Sequence, residues 1–302
     1  MGLGLDILTG GAGADIFQFD ADDDGAVITD LSEEDALRFA SSIAAQTVFN
    51  TAEQSGADTI LTLNGSEITL RNVEGVALSS SGSEIVLIAN VDTMEPFIGT
   101  EQNDSLLGDD GANILRGLDG DDELVGRGGA DQLDGGDGFD TASYQTASVG
   151  VLASLSTVAH NTGDAAGDTY ISIENLTGSE HNDSLRGDNN ANSLSGLNGA
   201  DQIYAFGGDD ILEGGAGADL LFGQAGADTF VFSAGDGADT VGDFNIAQDL
   251  LDFTSYGLAT KQDVLDAVTD NGADTSISLS AGDTVNLRNV DHLAITEDVI
   301  LI

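Results

Sequence analysis

Apolar positions return along this chain with a period of nine. From Gly99 to Ser143 the segments GTEQNDSLL, GDDGANILR, GLDGDDELV, GRGGADQLD and GGDGFDTAS follow one another without a gap, each with Asp or Asn at position six and an apolar residue at seven or eight. A second run, from Gly178 to Val231, reads GSEHNDSLR, GDNNANSLS, GLNGADQIY, AFGGDDILE, GGAGADLLF and GQAGADTFV, and the chain opens with MGLGLDILT and GGAGADIFQ. Thirteen copies in one register exclude chance. Each copy predicts a glycine-rich turn followed by a short strand. One such strand cannot bury its face alone, whereas stacked copies bury a continuous core. The pattern therefore predicts an all-β chain built on a parallel β-helix.

The segments between the repeats differ. Thr141 to Ser179 alternates small and apolar residues and predicts strands around an exposed polar loop at Asn161 to Asp168, with Asp164 and Asp168 read as solvated turn residues rather than as ligands of another ion. Two further regions match each other. GADTILTLNGSEITLRNVEGVALSSSGSEIVLI ends at Ile88 and GADTSISLSAGDTVNLRNVDHLAITEDVILI ends at Ile302; before them AQTVFNTAEQS matches KQDVLDAVTDN. Upstream, ADIFQFDADDDGAVITDLSEEDALRF matches ADTFVFSAGDGADTVGDFNIAQDLLDF. One unit is thus present twice, a repeat end followed by a cap of about seventy residues with a short helix and several strands, as the ends of solenoids require. The expected organisation is 1–98 (short roll stub, first cap and linker), 99–143 (first long roll), 144–177 (β insert), 178–231 (second long roll) and 232–302 (C-terminal cap).

Charge changes the picture. Seven Lys and Arg face 54 Asp and Glu, a formal net charge of -47, which opposes compaction unless cations neutralise it. Acidic chains poor in aromatics are often disordered, yet 40% of these residues are apolar and sit at fixed points of the repeat. Order with metal and disorder without it is the expectation. The 41 glycines suit turns that need positive φ. No cysteine is present, so neither a disulfide nor a thiol nucleophile enters.

The nine-residue pattern of glycine at one, two and four with aspartate at six is a calcium-binding signature. Calcium is a hard cation that takes six to eight oxygens from carboxylates and backbone carbonyls. The segments resemble the repeats-in-toxin nonapeptides of secreted bacterial proteins, and the caps resemble the C-terminal region of serralysin-like proteases and modules of alginate epimerases. The resemblance implies a parallel β-roll in which two nonapeptides make one turn and each calcium ion sits between loops two repeats apart. Carried over by position, the carboxylate ligands are Asp6 and Asp15 near the start, Asp104, Asp122, Asp131 and Asp140 in the first long roll, and Asp183, Asp201, Asp210, Asp219 and Asp228 in the second. Asn113 and Asn192 offer a neutral oxygen and imply weaker sites, and Ala205 in place of the first glycine implies a distorted turn. Pairing loops two apart gives about seven ions for the two long rolls.

Catalytic signatures are missing. HExxH is absent, and His160, His181 and His292 are far apart and read as surface residues. No phosphate-binding loop is present, since GDDGANILR lacks the required lysine, and a polyanion without a basic patch repels nucleic acid. No run of about twenty apolar residues predicts a membrane span. The N-terminus lacks a Sec-type signal peptide. The resemblance implies export through a type I secretion exporter that reads an uncleaved C-terminal signal, here TEDVILI, although the internal GSEIVLI marks the same segment as a cap strand. The expected function is a non-enzymatic, secreted calcium-binding repeat protein of the extracellular space or cell surface, with an adhesive, matrix or structural role. The alternatives are the secretion and stability region of a larger extracellular enzyme, or a module that binds an extracellular polysaccharide. The open edge left by the two first nonapeptides adds a second copy of the chain as a candidate partner.

Overall fold

In the computed structural model, which describes residues 6–10, 16–19, 26–29, 36–39, 53–55, 58–63, 66–70, 76–81, 84–89, 96–280 and 282–302, each nonapeptide beyond residue 96 is a turn followed by a short strand. Strands two repeats apart pair in parallel, with Ser105 opposite Glu123, Ile114 opposite Gln132, Ser184 opposite Gln202 and Ser193 opposite Ile211. Two nonapeptides thus make one turn, and consecutive strands alternate between two sheets. The fold is the parallel β-roll that the period predicts.

Position eight fills the core. Leu106, Leu115, Leu124, Leu133, Leu185, Leu194, Ile203, Leu212, Leu221 and Phe230 are all buried, while position seven, as in Ile211, faces out. Strand alternation explains the difference, since neighbouring side chains point to opposite faces. The turns separate the jobs of their glycines. Position two is left-handed at several residues that are not glycine, Leu118, Arg127, Leu197, Phe206 and Gln224, but not in the opening repeats of each roll at Thr100, Asp109, Ser179 and Asp188. Position four is left-handed as well, for instance at Gly129 and Gly226, and lies against the backbone of the preceding turn. The expected distortion at Ala205 does not occur: its N–H donates to Phe222 O at 2.9 Å, as Gly187, one turn earlier on that sheet, donates to Tyr204 O at 2.9 Å.

The chain divides into two compact units, Met1–Ala142 with Asp168–Ile173, and Ser143–Gly167 with Glu174–Ile302. In the first, a four-stranded sheet runs through Phe97–Ile98, Ile114–Asp119, Gln132–Asp137 and Thr169–Ile171. Nearer the start, Asp6–Leu8 pairs in parallel with Ala26–Ile28, and Ile16–Phe19 with Ala36–Phe39. In the second, an eight-stranded sheet carries the roll strands from Leu152–Ser154 to Ala238–Val241 and continues into the cap hairpins Thr284–Leu287, Thr275–Ser278 and Val268–Asp270.

The two caps share this plan up to their last strand. In both, a roll strand pairs in parallel with a cap strand (Ala26–Ile28 with Ser66–Leu70, Ala238–Val241 with Thr284–Leu287) that carries an antiparallel partner. Ile300–Leu301 then pairs in parallel with Leu250–Asp252, whereas Glu84–Ala89 pairs antiparallel with Ala36–Phe39. Between the shared Arg-Asn-Val and the final Leu-Ile the first copy has three residues more. They allow the hairpin of Val76–Ser81 with Glu84–Ala89, which turns the last strand round. The C-terminal cap contains the expected short helix, Lys261–Leu265, whose Thr260 N–H is capped by Asp263. The matching residues of the first cap, 45–49, lie outside the described residues.

Candidate metal centre

The sixth residue of each repeat opens its strand, as at Asp104, or immediately precedes it, so the turn before it and the strand after it hold its carboxylate at the corner of the roll. Asp104, Asp122, Asp131, Asp140, Asp183, Asp201, Asp210, Asp219 and Asp228 are at most 4% exposed. One oxygen of each but Asp104 accepts an N–H from an earlier segment, in most cases the preceding turn, in a ladder. The Asp104 N–H donates to Asp122 Oδ1 (2.7 Å) and the Asp122 N–H to Asp140 Oδ1 (2.8 Å). In the second unit Asp183 donates to Asp201 (2.7 Å), Asp201 to Asp219 (2.7 Å) and Asp210 to Asp228 (3.1 Å).

The other oxygen is different. Oδ2 of Asp122, Asp131, Asp201, Asp210, Asp219 and Asp228 is buried and accepts no hydrogen bond. Buried carboxylate oxygens without a partner are costly, and six at equivalent positions define a feature rather than a defect. All but that of Asp210, whose repeat has Ala205 at position one, lie beside the glycine at position one. A Cβ built on Gly99 would stand 2.6 Å from both Asp104 Oδ2 and the carbonyl oxygen of Gly117, one turn on. The same pairing recurs at Gly117 with Asp122 and Gly135, and at Gly196 with Asp201 and Gly214. Glycine at position one thus leaves room rather than supplying φ, and Ala205 is the one position-one residue of the two long rolls that fills it. A carboxylate oxygen and a carbonyl oxygen left facing a side-chain-free space are donors of the kind a hard divalent cation takes. Among the described residues no three carboxylates or imidazoles converge on a point, so the backbone must supply most of the oxygens.

Asn113 and Asn192 keep the neutral oxygen in place. Their Oδ1 accepts from the N–H of Asp109 and Asp188, both at 2.8 Å, and their own N–H groups donate to Asp131 and Asp210. At Asn192 the amide nitrogen then donates to Glu174 O at 2.7 Å, where an aspartate would have to accept. Asparagine thus suits the first position of a column. Asp6 opens the strand Asp6–Leu8, and Asp15 lies outside the described residues.

The ladder also includes aspartates that the repeat pattern does not mark. Asp131 donates to Asp168 (2.9 Å), Asp219 to Asp239 (3.0 Å) and Asp228 to Asp249 (3.1 Å). Asp168 is fully buried and Asn161 is 8% exposed, accepting from the Ser154 N–H. The reading of Asp168 as a solvated turn residue is therefore corrected, while Thr162, Gly163, Ala166 and Gly167 of the same loop are exposed as expected. The available signal was uneven: GDTYI, GADTV and QDLLD each repeat the Asp-x-apolar spacing, but only Asp239 keeps glycines at positions two and four, Gly235 and Gly237.

Burial is the main cause of raised carboxyl pKa values along the columns. It pushes Asp131 up to about 8, Asp122, Asp201 and Asp210 to about 7 and Asp228 to about 6, against the opposing N–H donor of the preceding turn and with neighbouring carboxylates adding to the rise. The histidines do not join the site. His160 and His181 are exposed, and His292 Nδ1 lies 3.5 Å from Asp291 and 3.7 Å from Asp270. No helix among the described residues is long and apolar enough to cross a membrane.

Residues 2–26, 97–117, 107–142, 177–205 and 204–241 match the family described as the RTX calcium-binding nonapeptide repeat. No curated protein matches the chain. Among solved structures it is similar to the R3 subunit of the Azotobacter vinelandii mannuronan C5-epimerase AlgE6 (33% identity over 40% of this chain and 78% of that one, TM-score 0.34). It is similar also to the R2 subunit (35%, 42% of this chain and 91% of that one, TM-score 0.35). The extracellular lipase LipA from Serratia marcescens is 21% identical over 78% of this chain and 44% of that one, with a TM-score of 0.34.

Proposed function

From a chain that carries RTX calcium-binding nonapeptide repeats, we propose a secreted protein that folds on binding several calcium ions after export and then acts as a structural, adhesive or matrix component without chemistry of its own. The observation that carries the reading is the set of buried Oδ2 atoms that accept no hydrogen bond beside the position-one glycines. The ligands proposed are Asp104, Asp122, Asp131, Asp140, Asp183, Asp201, Asp210, Asp219 and Asp228, with Asn113 and Asn192 as neutral donors and Asp6 and Asp15 in the opening repeats. Bound calcium supplies the positive charge that makes stacking these carboxylates favourable, so its binding free energy becomes folding free energy.

Extracellular calcium modules work at about 10⁻⁴ to 10⁻³ M, far above cytosolic levels, so the chain stays loose before export and folds after it. The segment TEDVILI then has two uses in succession. A type I exporter reads it in the extended chain, and in the folded protein Ile300–Leu301 closes a sheet against Leu250–Asp252. Circular dichroism and small-angle scattering of the whole chain, in excess chelator and in millimolar calcium, test the reading. An expanded chain that becomes compact and β-rich with calcium is expected, and equal compactness in both conditions would overturn it.

A further inference from the structure

The first roll ends at Asp140 in sequence but not in space. The chain passes into the second unit at Ser143, and Asp168–Ile173 belongs to the first. This six-residue return reproduces a repeat without its glycine signature. Asp168 accepts the Asp131 N–H at 2.9 Å, within the 2.7–3.1 Å of the repeat ladder. The Thr169 N–H donates to Asp131 O at 2.8 Å, as Thr141 does to Asp122 O at 2.8 Å. Gln132, Leu133 and Asp134 pair in parallel with Thr169, Tyr170 and Ile171. On the other column the Ser172 carbonyl oxygen takes the place of a position-one carbonyl: it and Asp140 Oδ2 flank the point where a Cβ on Gly135 would lie, as Gly135 O and Asp122 Oδ2 flank that of Gly117.

We propose that Asp168–Ile173 is a ligand-bearing last half-turn of the first roll, in which the Asp168 carboxylate and the Ser172 carbonyl oxygen are calcium donors. Beside Asp168, which is fully buried, Asp131 keeps Oδ2 buried with no hydrogen-bond partner. An apolar lid would leave that oxygen unsatisfied, and a cation held by the return satisfies it. The return thus completes two columns at once, by side chain in one and by backbone in the other, and the family match, which stops at 142 and resumes at 177, passes over it. The inference rests on the reading that the roll aspartates hold calcium.

The test compares Asp168→Asn, Asp168→Glu, Asp122→Asn and Asp164→Asn in the full chain, by native mass spectrometry at saturating calcium and by calcium titration. Asn keeps an acceptor for the Asp131 N–H while removing the charge. Asp168→Asn is expected to lose one ion or bind it about ten-fold more weakly, with Asp164→Asn unchanged and Asp168→Glu recovering the parent count. If Asp122→Asn loses an ion and Asp168→Asn matches the parent, the return is only a structural cap and this inference falls while the calcium reading stands. A loss with Glu equal to that with Asn overturns it as well, because shape rather than charge is then what matters. If Asp122→Asn also binds like the parent, the ligand assignment itself is wrong.

Discussion

A single aspartate at position six holds two things at once, and substitutions can separate them. Asp210→Ala removes the acceptor of the buried Asn192 N–H, which costs about 1–3 kcal/mol, and also removes a carboxylate oxygen from the candidate site. Asp210→Asn should keep most of the ladder and lose the calcium affinity. Asn192→Ala should affect calcium less than Asp210→Ala, because the oxygen it loses is neutral. Chemical denaturation at saturating calcium, paired with calcium titration, reads the two quantities separately. The same carboxyls predict a pH dependence. Their folded values, about 6 to 8 for Asp122, Asp131, Asp201, Asp210 and Asp228, lie above the unfolded carboxyl value of about 4. The metal-free fold therefore binds more protons than the unfolded chain. Its stability is greatest below about pH 4 and falls as pH rises through the folded values. Calcium and protons compete for the same oxygens. Metal-free chain should be more ordered at pH 5 than at pH 8, and the apparent calcium affinity should be higher at pH 8; the reverse order in a calcium titration at the two pH values would contradict the column assignment.

At the scale of turns and strands, the cost of the non-glycine residues at position two is measurable. Leu118 has φ 86° and is 41% exposed, so Leu118→Gly gives up little burial and relieves a left-handed conformation that costs about 1–2 kcal/mol. It should be neutral or stabilising by up to about 1 kcal/mol in calcium, once the lower entropy cost of ordering leucine is set against it. At the chain end, Ile300 is fully buried in the closing strand, and Ile300→Ala should destabilise the cap by about 2–5 kcal/mol in thermal or chemical unfolding. The repeat strands were legible in the sequence because one period fixed turn, ligand and core together. Legibility failed where a residue does the repeat's work without its neighbours. Asp168, Asp239 and Asp249 join the ladder by accepting, on their carboxylates, N–H groups 37, 20 and 21 residues earlier, and no fixed period reports these. The antiparallel last strand of the first cap was hidden for a similar reason, since its segment reads like the parallel C-terminal one while three extra residues reverse it. Ala205 erred the other way: a missing glycine predicted distortion, but the backbone hydrogen bond there needs only an N–H.

For the whole molecule the net charge of -47 sets the terms. Two effects of calcium can be told apart with monovalent salt. At about 1 M salt the screening length is about 3 Å, which should contract the chelated chain seen by scattering without restoring the β signal, because screening leaves buried Oδ2 atoms unsatisfied. Millimolar calcium should restore both. The ladder adds a direction to this transition. Every column bond runs from an N–H of one turn to a carboxylate of the turn that follows it in sequence, from Asp104 to Asp122 to Asp140, and from Asp183 through Asp201 and Asp219 to Asp239. The N–H that opens each position-six link is therefore satisfied only when the next turn is in place, and in the second unit the last acceptors, Asp239 and Asp249, lie past the last full nonapeptide. The last N–H donors of the two columns, Asp219 and Asp228, find their acceptors only in residues 239 and 249, so the columns of the second unit are complete only when the chain has been made that far.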